Sequence, residues 1–242
     1  RGVATRINEA AQDPALLAEL AHWATAPAAG AVLPGAPALP GAVASRSVLS
    51  VDASWQPQPE FAGTKSQDQW LAGLAVALSE SGMADVSVEV EGDLRHVGGA
   101  EFDSSRTVGA FAAGVPLRLG AVASMDSALE SLAAARAATP GDGSGAALLR
   151  YLGAQSAIAF TQLPSPEVTA RFVEDFDVDP AAHSAPLDVT IWVADGHVRV
   201  RLVFDGVRFD QDWVHVLAQR WLTAAGAVDV TFHEAVNTAA QS

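Results

Sequence analysis

Glu91 and Arg95 stand four residues apart, directly after Val86-Ser87-Val88-Glu89-Val90, a run that alternates apolar and polar residues as a strand with one buried face does. The pattern places both just beyond the strand end. Gly98-Gly99 then marks a turn, Ser105-Arg106-Thr107-Val108-Gly109 follows, and a second strand-like run closes on Pro116-Leu117-Arg118-Leu119. A carboxylate held near a guanidinium at the mouth of a sheet is a device for moving protons, if the fold shields it from bulk water. The same two residues would also serve as a solvated ion pair, and spacing alone leaves both readings open.

Other reactive side chains read more plainly. His96 is an exposed loop histidine. Glu174, Asp175, Asp177 and Asp179 lack the ordered glycine and terminal glutamate of a calcium loop, so they read as a solvated acidic loop. Ser105 has no base near it in sequence. The six histidines are scattered and there are no cysteines, so disulfides, thiolate chemistry and a metal site are not expected.

Elements must position these groups. Leu16, Leu17, Leu20 and Trp23 recur at helical spacing within a helix over 8–24, where Asp13-Pro14 has the form of a cap and first helical residue. Residues 26–42 hold four prolines among Ala and Gly and read as a linker. A strand is expected over 47–52, and an amphipathic helix over 66–81 with Trp70, Leu71, Leu74 and Leu78 as its stripe. Strands follow over 86–90 and 114–119, and helices over 125–138 and 145–152. Residues 167–173 alternate again. Runs over 187–194 and 197–204 flank Asp195-Gly196, the strongest short hairpin signal. Asp210 caps a helix to about 225, with Val214, Leu217 and Trp221 inward and Gly226 at its stop. Trp213 and Trp221 read as core. A last strand fits 228–232. The fold class is α/β, a mixed sheet covered by helices.

Composition sets the bounds. The 242 residues are half hydrophobic, enough for a sizeable core. A formal charge of −14 argues against nucleic acid and against an anionic membrane surface. No apolar run reaches the roughly 20 residues of a membrane span, and no signal peptide is visible, so a cytoplasmic location is expected. One lysine against 13 arginines, with abundant Ala and Gly, points to a GC-rich genome such as an actinobacterial one. The chain starts at Arg1 and reads as a piece of something longer.

Four segments, in order, resemble the epimerization domain of nonribosomal peptide synthetases, a branch of the condensation-domain superfamily. Glu91-Gly92-Asp93-Leu94-Arg95 is similar to the family's Glu-Gly-His-Gly-Arg. Asp103-Ser104-Ser105-Arg106-Thr107-Val108-Gly109-Ala110-Phe111 with Pro116-Leu117-Arg118-Leu119 is similar to Asp-Leu-Ser-Arg-Thr-Val-Gly-Trp-Phe and Pro-Val-Arg-Leu. Leu149-Arg150-Tyr151-Leu152 matches in full, and Pro166-Glu167-Val168-Thr169-Ala170-Arg171-Phe172 is similar to Pro-Glu-Val-x-Phe-Asn-Tyr. The resemblance covers nearly the whole chain but only the C-terminal half of the family domain. It implies a chloramphenicol-acetyltransferase-like lobe, with a mostly antiparallel mixed sheet, over 43–242, preceded over 1–42 by the inter-lobe helix and linker.

The resemblance also implies a chemistry. Epimerization domains invert the α-carbon of an aminoacyl or peptidyl thioester on the 4'-phosphopantetheine arm of a peptidyl carrier protein. One proton-transfer group is the glutamate that Glu91 matches. The other is a histidine of a His-His-x-x-x-Asp motif in an N-terminal lobe, and this chain contains no His-His pair. Arg95, and with it Arg106, would be structural at the lobe interface. The family histidine is Asp93 here, and the family Asn-Tyr pair of the active-site neighbourhood falls on Arg171 and Phe172. Alone, the lobe is expected to be inactive and to pair with its N-terminal lobe or a copy of itself through an apolar face. The alternative is a degenerate condensation-like module that recruits a partner without chemistry, as some relatives do. An amide-forming condensation domain fits less well, because Val108-Gly109-Ala110-Phe111-Ala112-Ala113 departs from that branch's motif.

Overall fold

A computed structural model describes residues 2–25, 46–61, 63–83, 86–94, 112–141, 143–152, 167–173 and 185–233. Seven strands form one sheet: β1 (Arg46–Ser54), β2 (Val86–Asp93), β3 (Ala112–Leu119), β4 (Val168–Val173), β5 (Leu187–Ala194), β6 (His197–Asp205) and β7 (Val228–His233). Their order across the sheet is β3-β2-β4-β5-β6-β1-β7. The β2–β4 and β4–β5 pairs are parallel and the other four are antiparallel. The mixed, mostly antiparallel sheet expected from the sequence is the one observed.

Strand alternation gives the sheet two unlike faces. Val86, Val88 and Val90 of β2, Val168 and Ala170 of β4, Val189 and Ile191 of β5 and Val200 and Leu202 of β6 are buried in the main core. That face is covered by α3 (Ser66–Glu80), α4 (Met125–Ala138) and α6 (Gln211–Ala224). The other face carries Glu89, Thr169, Asp188 and Arg171 in register across β2, β4 and β5.

The helical layer departs from the expected amphipathic stripe. Every residue of α3 from Gln69 to Leu78 is buried, because α3 runs between the sheet, α4 and α6. Gly73 lets α6 approach: a Cβ there would lie 3.3 Å from the Trp221 ring and from Ala225. Trp70 and Trp221 pack edge to face at 5.8 Å, and Trp221 Nε1 donates to the Trp70 carbonyl at 2.8 Å. Trp55 Nε1 donates to the Ala225 carbonyl at 2.7 Å, fastening the end of β1 to the end of α6. Asp210 caps α6 through the Asp212 N–H at 2.8 Å, as the sequence predicts. Trp213 stacks on Phe209.

The first helix is two. α1 (Val3–Ala11) ends before Asp13, and α2 (Pro14–Thr25) begins at a proline that has no N–H to continue the earlier hydrogen-bond ladder. Asp13 accepts from the Ala15 N–H at 2.8 Å. Ile7, Ala11, Leu16 and Trp23 form a second core with Ala146, Leu148 and Leu149 of α5 (Ser144–Ala147) and the π turn Leu148–Leu152. Leu94, just past β2, packs on this core.

The β5–β6 hairpin turns at Asp195 (φ 50°) and Gly196 (φ 78°), the two positive dihedrals that its Asp-Gly sequence predicts. The linker expected over 26–42 lies outside the described residues. No described helix is long and apolar enough to cross a membrane.

Candidate functional site

Glu91 lies inside β2, opposite Gly114 of β3, rather than beyond the strand end. Pairing with Gly114, Ala113 and Ala112 of β3 carries the strand past Val90 to Asp93. Glu91 and Glu89 are two residues apart and share the polar face.

Four charged side chains meet there. Arg171 Nε on β4 lies 4.0 Å from Glu91 Oε2. Arg150 Nη1, on the π turn, bonds Glu89 Oε2 at 3.1 Å. Exposure rises along the cluster: side-chain values are 12% for Arg150, 18% for Glu89, 24% for Arg171 and 37% for Glu91. Glu91 is therefore the member most open to an incoming group. Burial pushes the Glu89 carboxyl above the usual carboxylate range, against the pull of the Arg150 charge and hydrogen bond and of the Arg171 charge.

Polar burial continues along the face. The Thr169 hydroxyl donates to the Asp188 carboxylate, and both residues are buried. Arg46 Nη1 reaches Asp188 Oδ2 at 3.9 Å while donating to the Ala185 carbonyl at 2.8 Å. Glu167, at the head of β4, accepts the Ser87 N–H at 3.0 Å, and burial pushes its carboxyl upward as well. At the far side of the sheet Asp52 joins Arg199 at 2.6 Å and His233 at 2.8 Å.

Of the residues singled out in the sequence, the structure brings Glu91 and Arg171 together. Phe172, the next residue along β4, points to the other face and packs against the main core. The backbone of Asp93 ends β2. Arg95, Arg106, His96, Ser105 and the acidic run 174–179 lie outside the described residues. Among the described residues no group of three or more His, Cys, Asp or Glu side chains could hold a metal ion.

Sequence reasoning missed Glu89 and its partner Arg150. Between Val88 and Val90, Glu89 reads as an ordinary solvent-facing residue. The available signal was on the partner strand: Gly114 has no side chain, and a Cβ there would overlap the Glu89 carboxyl.

No family model and no curated protein matches the chain. Solved structures do. The epimerization domain from the third module of tyrocidine synthetase B matches with a TM-score of 0.71 at 18% identity, over 92% of this chain and 57% of that one. The complex of the X-domain and OxyB from teicoplanin biosynthesis contains a chain matching with a TM-score of 0.61 at 16% identity, over 87% of this chain and 52% of that one. The starter condensation domain of rhizomide synthetase matches with a TM-score of 0.55 at 14% identity, over 88% and 50%. At such identities the likeness establishes the fold: that of epimerization and condensation domains. The chain spans about half the length of the structures it matches.

Proposed function

We propose that the chain is the C-terminal half of an epimerization-type domain of a nonribosomal peptide synthetase. In this reading residues 43–242 form the lobe and 1–42 the helix and linker that lead into it. Glu91 serves as one of two proton-transfer groups at the α-carbon of an aminoacyl or peptidyl thioester. A carrier protein presents that thioester on its 4'-phosphopantetheine arm, and an N-terminal lobe supplies the opposing histidine. Inversion needs a group on each side of the planar, enolate-like intermediate, because a proton taken from one face must be replaced from the other.

The observation that carries the reading is the place of Glu91. It is the most exposed charge of a cluster on the sheet face that the three helices leave uncovered. A carboxyl that exchanges a proton with a substrate needs such access, and burial of Glu91 in the helical layer would have argued against it.

The test is α-deuterium uptake from D2O into a carrier-bound aminoacyl thioester. The 242-residue chain alone is expected to give none. The parent protein with both lobes is expected to exchange, and Glu91→Gln to slow it by about 10²–10⁴-fold, the usual weight of one acid–base group. Exchange by the lone chain, lost in Glu91→Gln, would overturn the division of labour.

One observation favours a second reading. Arg171 occupies the position that the resemblance assigns to an asparagine, and it is paired with Glu91. A guanidinium on the acid suits a module that keeps the fold to dock another protein, and a chain of this fold occurs in the complex of the X-domain and OxyB. A parent that binds its carrier but exchanges no α-proton would favour this reading.

A further inference from the structure

Glu89 has a geometry that the proposed reaction does not use. Its Cα lies opposite Pro116 on β3, yet its carboxyl lies over Gly114, the residue opposite Glu91. The side chain therefore leans one rung along the sheet, towards Glu91. Only a residue without a Cβ leaves room for this. Arg150 fixes the far oxygen at 3.1 Å, and Arg150 is itself held by a π turn whose neighbours Leu148 and Leu149 are buried in the second core. The carboxyl is thus anchored from outside the sheet. Glu89 stands opposite Thr169 on β4, and Arg171 is two residues further along the same face, where it pairs with Glu91 at 4.0 Å.

We propose that Glu89 is a positioning residue of the Glu91 site: clamped by Arg150 over the bare Cα of Gly114, it provides the fixed negative charge that holds the Arg171 guanidinium beside Glu91. This rests on the reading of the Glu91 face as the reacting face. In it Glu89 touches no substrate. It sets where Arg171 sits, and Arg171 sets how freely Glu91 turns towards the α-carbon. Gly114 belongs to the device as the space that the Glu89 side chain fills.

The experiment reads Arg171 directly, through solvent exchange of its Nε–H by NMR on the ¹⁵N-labelled 242-residue chain. Glu89→Gln and Gly114→Ala are each expected to speed that exchange about fivefold, the scale of one half-exposed ion pair. Amides of β6 report whether the fold is kept. A third arm compares wild type with Glu89→Gln across pH. The faster Arg171 exchange of Glu89→Gln should converge on the wild-type rate as pH falls through the titration of Glu89, because the Glu91 partner acts in both proteins and cancels. A change in packing alone would not produce this convergence. Arg171 exchange that stays at the wild-type rate in both variants at every pH overturns the proposal. The reaction is read separately by α-deuterium uptake in the parent. No uptake, with the Arg171 response intact, sinks the epimerase reading and leaves the positioning role standing.

Discussion

Arg171 Nε lies 4.0 Å from Glu91 Oε2, across neighbouring parallel strands that are 80 residues apart in the chain. Half-exposed pairs of this kind contribute about 0–1 kcal/mol to stability. Arg171→Asn is therefore expected to change the urea midpoint little. Under the epimerase reading it also frees the Glu91 carboxyl, so α-proton exchange by a protein carrying both lobes should rise. A variant that unfolds early, or a parent whose exchange falls, would show that Arg171 supports Glu91 instead of restraining it.

Glu89 makes stability depend on pH. Its folded-state carboxyl holds a proton more tightly than the unfolded one, because burial disfavours the charge. Its contribution is full below the ordinary glutamate pKa of about 4.3 and is lost as pH rises through the raised folded value. The stability of wild type relative to Glu89→Gln should then be greater at acid pH than at pH 7. Urea unfolding of both proteins across that range checks the sign, and a flat difference would refute it.

Trp221 is fully buried and ties α6 to α3 through its ring and its indole N–H. Trp221→Ala should cost about 3–5 kcal/mol. Trp221→Phe keeps most of the packing and gives up one hydrogen bond to a carbonyl inside α3 whose helical partner remains, costing about 0.5–1.5 kcal/mol. Chemical denaturation resolves the two, and equal losses would mean that the hydrogen bond outweighs the packing.

Gly196 sits at φ 78° in the hairpin, where a Cβ would meet nothing nearer than the Trp55 carbonyl oxygen at 3.7 Å. The strain of a side chain there is conformational, about 1–2 kcal/mol for Gly196→Ala. Gly196→Asn should recover part of it, since Asn tolerates the left-handed region better. Equal destabilisation by both would point to a steric cause.

Local patterns made much of this fold legible. Period-two alternation and Asp195-Gly196 fixed the β5–β6 hairpin, and Asp210 and Gly226 bracketed α6. The burial of α3 on all sides was hidden, because Ala72, Ala75 and Ala77 suit a solvent face as well as a tight interior. The site was legible only in part. Glu91 stood out through its neighbours in sequence, and the four-segment resemblance pointed to Arg171. Pairing of β2 with β4 and the reach of Arg150 to Glu89 join residues some 60–80 positions apart, beyond any local period. Glu89 was hidden for that reason: its burial comes from partners that its own strand does not encode.

The strand order has a consequence for birth on the ribosome. β1 lies between β6 and β7, so its two hydrogen-bonding edges wait for the last 46 residues of the chain. At about 5–20 residues per second, β1 spends on the order of ten seconds without a neighbour after it emerges. Leu49, Val51 and Ala53 are apolar throughout that interval. The nascent polypeptide should therefore recruit chaperones early, and arrest before His197 should leave a species that aggregates through this segment.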